Sequence, residues 1–282
     1  MALHAAVIGA RGQLGSDLCA QAPSHASVLP LTSREIDVTS RPSVREVLSS
    51  LKPALVINTA AYVRVDDAED HEEEAFRVNA LGPRYLAESC SLLGAGLIHI
   101  STDYVFDGMK ENLPYMEDDA AGPLNTYGLS KLAGELFIRN THEKHHVIRT
   151  ASLYGATGSR GKGGSFVKTV IEKARRSEEI TAAGDIVMSP TSTSDLARWI
   201  WSFAAQGREP GIYHAVNGGW CSWYDFACAV AKEASPGARI IAVSHGDLGR
   251  RARRPLRTPL GSLRGSMMRP WQEALAEFLR ER

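Results

Sequence analysis

Tyr127-Gly128-Leu129-Ser130-Lys131 separates a phenol from an ammonium by one helical turn, so a helix starting near Asn125 presents both on one face. A phenol of pKa about 10 is a sluggish acid at neutral pH, and a neighbouring cation favours its ionised form, drawing it toward the useful range. The same spacing also describes an ordinary exposed helix face. Upstream, Ile100-Ser101-Thr102-Asp103 closes an apolar run with small hydroxyls and a carboxylate. At the C-terminal edge of a parallel sheet, Thr102 would donate a hydrogen bond to a substrate carbonyl and support the developing oxyanion. Strand packing or helix capping is the alternative use for that hydroxyl.

Near the N-terminus, Gly9-Ala10-Arg11-Gly12-Gln13-Leu14-Gly15 has glycines three apart, directly after a strand-like run and before a helix-like one. Such a turn lets the backbone approach a pyrophosphate while the helix-start amides face its charge. A plain turn has the same composition. The following strand ends in Leu31-Thr32-Ser33-Arg34, with no acid at its tip to bind a free ribose hydroxyl. Arg34 and Arg11 either pair with a 2′-phosphate, which favours NADPH, or are solvated surface groups, which leaves NADH open. Asp37-Val38 stands where an adenine ring would lie, and Asp37 before Thr39-Ser40 is equally suited to a turn or cap.

These residues need a frame. Apolar runs at Ala5–Ala10, Val28–Thr32, Ala54–Ala61, Gly96–Thr102 and Val147–Leu153 alternate with helical stretches near 14–22, 42–51, 69–93 and 125–140. That alternation predicts an α/β fold, a Rossmann-type doubly wound parallel sheet over residues 1–152. Within the longest stretch, Ala75, Val78, Leu81 and Leu86 form a stripe that Gly82-Pro83 should kink or restart. After residue 152 the pattern loosens. Gly155–Gly164 holds five glycines in ten residues and reads as a loop that wanders or closes over something. A helix from Ser165, strands at Ile180–Gly184, Gly211–Val216 and Ala238–Val243, and helices near 193–206, 223–234 and Trp271–Arg280 follow. Residues 153–282 are thus expected to form mainly a smaller, intertwined substrate-binding lobe, with segments near 180–212 completing the first domain.

Composition narrows the partners. The 32 basic residues balance the 32 acidic ones, so net charge points to neither nucleic acid nor membrane surface. The one basic cluster, Arg250, Arg251, Arg253, Arg254 and Arg257, is explained as easily by an anionic small ligand. Cys19, Cys90, Cys221 and Cys228 make no CxxC pair and read as reduced thiols. With no signal-like leader and no membrane-length apolar stretch, a cytoplasmic location is expected. His142, His145 and His146 read as a solvated helix end rather than a metal site.

Several longer runs share a resemblance. Gly12-Gln13-Leu14-Gly15, Asn58-Thr59-Ala60-Ala61-Tyr62, Val78-Asn79-Ala80, Ser101 to Gly108, Pro123-Leu124-Asn125-Thr126-Tyr127-Gly128-Leu129-Ser130-Lys131 and Ser189-Pro190-Thr191 all look like the dTDP-4-dehydrorhamnose reductase family, a branch of the extended short-chain dehydrogenases. The similarity spans nearly the whole chain. It implies NADPH-dependent reduction of the C4 ketone of a dTDP-linked 4-keto-6-deoxyhexose, yielding dTDP-L-rhamnose in the cytoplasm. Tyr127 would protonate the C4 oxygen and Lys131 would tune it. Thr102 and Asp103 would hold the sugar, with Ser152 and Phe166 beside it and the arginines near 250 offsetting the diphosphate. Gly9, Gly12, Gln13, Leu14, Asp37, Val38, Ala60, Ala61 and Tyr62 would line the cofactor.

Many family members have RTSW where this chain has Arg149-Thr150-Ala151-Ser152, so an aromatic against the sugar is missing unless Leu153 or Tyr154 compensates. Some bind magnesium between acidic groups; here only Asp17 suggests a counterpart, and no metal is expected. Three alternatives remain at this stage. They are reduction of another nucleotide-linked keto sugar, a non-catalytic role like that of the methionine adenosyltransferase beta subunit, and epimerase or dehydratase chemistry on retained NAD. A homodimer is open.

Overall fold

In β1 (Leu3–Ile8), Ala5 and Val7 face one way, Ala6 and Ile8 the other, and all four are buried. A strand apolar on both faces belongs inside a parallel sheet covered by helices on both sides. The computed structural model, which describes residues 3–157 and 164–281, has that arrangement. After β1 come α1 (Gln13–Ala20), β2 (Ala26–Leu31), α2 (Arg41–Leu51), β3 (Leu55–Asn58), α3 (Glu72–Phe76), α4 (Gly82–Leu93), β4 (Gly96–Thr102), α5 (Thr126–Thr141) and β5 (His145–Thr150). The chain continues through β6 (Leu153–Tyr154), α6 (Phe166–Arg175), β7 (Ile180–Ala183), β8 (Val187–Met188), β9 (Thr191–Ser192), α7 (Thr193–Ala204) and β10 (Gly211–His214). It ends with β11 (Asn217–Gly218), β12 (Cys221–Ser222), α8 (Trp223–Ala234), β13 (Ile240–Val243), β14 (Met268–Pro270) and α9 (Trp271–Arg280).

The main sheet runs β2-β1-β3-β4-β5-β10, with every neighbouring pair parallel. On one face α2, α4 and α5 bury Val44, Leu48, Leu86, Cys90 and Ile138 against Ala6, Ile8, Val56, Leu97 and Val147. On the other, α1 and α7 bury Leu14, Leu18, Leu196, Ile200 and Trp201 against Ala5, Val7, Ile57, Ile98 and Ile148. Chain direction across the sheet reverses between β1 and β3, which opens a crevice at their C-terminal ends, the place where ligands bind in such sheets. A second core gathers Val167, Val170, Ile180, Phe226, Val230, Trp271, Leu275 and Phe278 from α6, β7, α8 and α9. The chain weaves between the two: α7 and β10 return to the main sheet layer, whereas Ile180–Ala183 pairs with β13.

Local outcomes differ from the periodicity in three places. The expected 69–93 helix is three pieces, with a π-turn at Arg77–Leu81 between α3 and α4. The extra residue of that turn directs Asn79 inward, where its side chain bonds the Tyr62 backbone and Ser130 Oγ. Gly82-Pro83 then begins α4, as a restart with proline in the first turn. The 147–153 strand ends at Thr150, because Ser152 takes a left-handed φ of 44° and turns the chain toward β9. His142 and His145 are buried rather than solvated: His142 Nε2 lies 2.8 Å from the Ala95 carbonyl and His145 Nδ1 meets that of His142. Burial lowers both below the usual imidazole pKa.

Candidate active site

β1 ends at Ile8, and the turn to α1 is only as tight as its glycines allow. Gly9 sits at φ 80°, with any Cβ 2.7 Å from Thr59 Oγ1, and a Cβ on Gly15 would collide with the Gly9 carbonyl. Gly12 caps α1 without a side-chain hydrogen bond, so the first amides of the helix stay available to an anion. This turn forms one end of a cleft of about 1570 Å³ running across the C-terminal edge of the sheet. Gly9, Arg11, Gly12, Gln13 and Leu14 line it beside Arg34, Asp37, Val38, Ala60 and Ala61. Tyr62 does not. Its backbone amide is drawn inward to Asn79 Oδ1 at 2.8 Å, its ring packs with Ala68 and Ala75, and its hydroxyl donates to Asp67.

Arg11 and Arg34 are both exposed at the rim. The nearest acid, Glu35, is folded back onto Thr32, accepting from its backbone amide at 2.8 Å and from its hydroxyl. Asp37 Oδ1 accepts from the Thr39 amide at 2.9 Å and its hydroxyl at 2.7 Å, so this carboxylate closes a turn while facing the cleft.

Tyr127, Lys131, Thr102 and Asp103 meet in the middle of the same cleft. Asn125 starts α5 by accepting the Gly128 amide at 2.8 Å, which fixes where the Tyr127 face points. Gly128 permits the close approach, since a Cβ there would strike the Tyr104 carbonyl. Thr102 Oγ1 donates to Asp103 Oδ1 at 3.1 Å and accepts the Tyr104 amide at 3.2 Å; the Thr258 hydroxyl donates to Asp103 Oδ2. Thr102 is therefore a cap and a cleft residue together.

The electrostatics differ from the spacing argument. Burial pushes the Tyr127 phenol up to about 12; a hydrogen bond with Thr102 pulls the other way, and the Asp103 charge adds to the rise. Lys131 Nζ instead donates to the Ile100 carbonyl at 2.6 Å and lies 3.2 Å from His99 Nε2. Burial brings Lys131 down to about 8, against an opposing pull from Glu135. Tyr127 is thus protonated at neutral pH, the form that an acid donating to a carbonyl requires.

The other wall comes from the second lobe. Ser152 and Phe166 line it, as do Leu153 and Trp223; Phe166 and Trp223 meet edge to face at 4.6 Å. Tyr154 is buried in the second core and supplies no wall. Of the five clustered arginines, Arg250 and Arg254 reach the cleft. Arg254 holds Asp66 through two 2.8 Å bonds, and Arg250 stands 3.8 Å from the same carboxylate. Burial raises the Asp66 carboxyl, but Arg254 and the Ala252 amide outweigh it and leave it below its usual range. Arg251 pairs with Asp70 on the outer surface, and Asp17 accepts the Thr193 hydroxyl. Among the described residues, no cluster of three or more His, Cys, Asp or Glu could hold a metal ion, and no helix is long and apolar enough to cross a membrane.

Residues 4–282 match the family described as RmlD substrate binding domain. A dTDP-4-dehydrorhamnose reductase of Mycolicibacterium smegmatis is 40% identical, over 98% of this chain and 85% of that one. The chain belongs to the dTDP-4-dehydrorhamnose reductase family. Spore coat polysaccharide biosynthesis protein SpsK of Bacillus subtilis is 38% identical, over 98% and 96% of the two chains. The crystal structure of the Bacillus anthracis dTDP-4-dehydrorhamnose reductase in complex with NADP superposes with a TM-score of 0.94 at 35% identity, covering 100% of both chains.

Three features of this dTDP-4-dehydrorhamnose reductase family member were not visible as site residues in the sequence. Trp223 sits in a helical stretch whose cap, Ser222, gives no hint of what the helix faces. Asn79 lies within a π-turn that periodicity does not forecast. His99 occupies an inward position of β4 and bridges Asn58 to Lys131. Only its polarity within an apolar run, Leu97-Ile98-His99-Ile100, marks it as a buried group needing partners.

Proposed function

We propose that this chain reduces the C4 ketone of dTDP-4-dehydrorhamnose to dTDP-L-rhamnose with NADPH. The observation that carries it is one cleft in which a protonated phenol, a threonine hydroxyl and a buried lysine stand between an anion-accepting helix start and a second-lobe wall. The NADP complex of the related Bacillus anthracis reductase supports the cofactor assignment. The residues present also fit it: Gly9, Gly12 and Gly15 leave backbone room for a pyrophosphate, and Arg11 and Arg34 stand at the rim where a 2′-phosphate would lie. The folded-back Glu35 leaves that rim without a competing free carboxylate.

When bound, NADPH supplies a hydride to the carbonyl carbon. The chain handles the rest. Tyr127 directs its hydroxyl proton at the C4 oxygen and transfers it as that oxygen gains charge; Thr102, whose hydroxyl proton goes to Asp103 in the free chain, turns it to the same oxygen when substrate enters. Lys131, one turn further along α5 and lining the same cleft, favours the phenolate left behind. Phe166, Trp223 and Leu153 close the apolar side of the sugar-nucleotide site, and Arg250 and Arg254 face its diphosphate. Ser152 leaves space where a large side chain would stand, which favours tolerance of 4-keto-6-deoxy sugars with other ring substituents.

The test follows NADPH oxidation with dTDP-, UDP- and GDP-linked 4-keto-6-deoxyhexoses. Turnover should be greatest with dTDP-4-dehydrorhamnose and should fall about 100- to 10,000-fold in Tyr127→Phe. Absence of turnover on the whole panel would refute the activity. An unimpaired Tyr127→Phe enzyme would refute the acid.

A further inference from the structure

The segment between β13 and β14 is tied to both lobes through its backbone. On the second-lobe side, Val187 of β8 donates to the Leu256 carbonyl at 2.7 Å and accepts the Thr258 amide at 2.9 Å. Just after, the Tyr115 amide donates to the Pro259 carbonyl at 2.8 Å and the Gly261 amide to that of Tyr115 at 2.9 Å, which anchors the segment to the loop after β4. Glu117 of that loop accepts from the Ser262 hydroxyl and the Leu263 amide. Gly108 marks how closely the two lie, since a Cβ there would stand 2.7 Å from the Leu256 nitrogen. A side chain carried by so bracketed a stretch is held in a fixed place.

Two contacts run from this strap to the active site. Asn125 Nδ2, on the side chain that caps α5 ahead of Tyr127, donates to the Arg253 carbonyl at 2.8 Å. The Thr258 hydroxyl donates to Asp103 Oδ2, while Thr102 donates to Oδ1 at 3.1 Å. Thr258 is 2% exposed and is not among the residues that line the cleft, whereas Thr102 and Asp103 both are. The two hydroxyls that meet this carboxylate are therefore unequal. Thr102 can reach a substrate, and Thr258 stands behind.

An ionised carboxylate only accepts, so its orientation follows the donors that face it. When Thr102 turns its proton to the substrate, Oδ1 gives up that donor, and the charge-assisted bond from Thr258 at Oδ2 remains. We propose that Thr258 is a positioning residue for the reduction, holding Asp103 through Oδ2 while Thr102 changes partner, so that Oδ1 accepts from a sugar hydroxyl. The second lobe thereby sets a carboxylate of the first from the back of the site rather than through the cleft wall. Where Asp103 stands also matters to the acid: its charge adds to the rise of the Tyr127 phenol, which keeps its proton until the carbonyl oxygen gains charge.

This role presupposes the reduction proposed above, so one arm of its test reads activity and the other does not. Thr258→Val keeps the shape of the side chain and removes the proton. With dTDP-4-dehydrorhamnose, kcat/KM should fall about 10- to 100-fold while KM for NADPH stays unchanged, and Thr258→Ser should recover most of the loss. Parent-like kinetics in Thr258→Val would overturn the proposal. An equal loss in Thr258→Ser would overturn it too, by making packing the cause. Crystal structures of the parent and Thr258→Val read the Asp103 carboxylate whether or not any sugar is reduced. It should leave its parent orientation in the variant, and an unmoved carboxylate would overturn the proposal. Absence of turnover by the parent would refute the reduction, and the carboxylate orientation would then decide the positioning by itself. If Thr258→Val does not fold, Thr258→Ala takes its place with the same outcomes.

Discussion

Keeping Lys131 buried costs stability, a cost that the proposed catalytic role accounts for. Its folded pKa of about 8 lies below the 10.5 of an unperturbed lysine. The ammonium is thus disfavoured in the fold: the penalty is complete below pH 8, fades between 8 and 10.5, and is gone above. Lys131→Met, similar in length and uncharged, should abolish reductase activity yet stabilise the fold at pH 7 by on the order of 2 kcal/mol. Thermal unfolding at pH 7 and pH 10 checks this. The gain should be a few degrees at pH 7 and should shrink toward zero at pH 10, and a gain equal at both would point to packing instead. The candidate residues were legible because Tyr127, Lys131 and Thr102 combine local spacing with the ends of periodic elements. Their protonation states were not legible, since burial decides them: Tyr127 rises where spacing alone suggested a fall.

At the scale of elements, α5 is held to the sheet by a buried ion pair. Arg149 of β5 gives Glu135 bonds of 2.7 and 3.0 Å, and the Ser101 hydroxyl of β4 donates to the same carboxylate. Removing one member leaves the other charge uncompensated, so Glu135→Ala should cost about 3–5 kcal/mol in a denaturant titration. Replacing both by apolar residues of similar volume, Glu135→Leu with Arg149→Met, should cost far less. Equal losses in the single and double variants would show that the pair itself stabilises. Strand and helix existence followed from apolar periodicity, because both faces of the sheet are covered and the runs are short. Two boundaries did not follow. The π-turn at Arg77–Leu81 answers to tertiary partners of Asn79, and the end of β5 to the left-handed Ser152, neither of which leaves a periodic trace.

For the whole molecule, the cleft exists because the second lobe is folded against the C-terminal edge of the sheet. The Asp66–Arg254 pair is one tie between them, joining the loop after β3 to the segment before β14. Arg254→Ala should raise KM for the nucleotide sugar about tenfold, equivalent to ~1.4 kcal/mol, while leaving NADPH binding unchanged. Steady-state kinetics with each substrate varied would check it, and an effect confined to NADPH would assign Arg254 to the cofactor side. How the lobes interleave was only partly legible. Short apolar runs announce strands without naming partners, so nothing local distinguished Gly211–His214, which extends the main sheet, from Ile180–Ala183, which pairs with β13. Where the hydride goes decides the proposed reaction most directly. NADPH carrying deuterium at the transferable C4 position of nicotinamide, incubated with the enzyme and dTDP-4-dehydrorhamnose, should give dTDP-rhamnose with one deuterium on sugar C4. Product lacking deuterium at that carbon would contradict it.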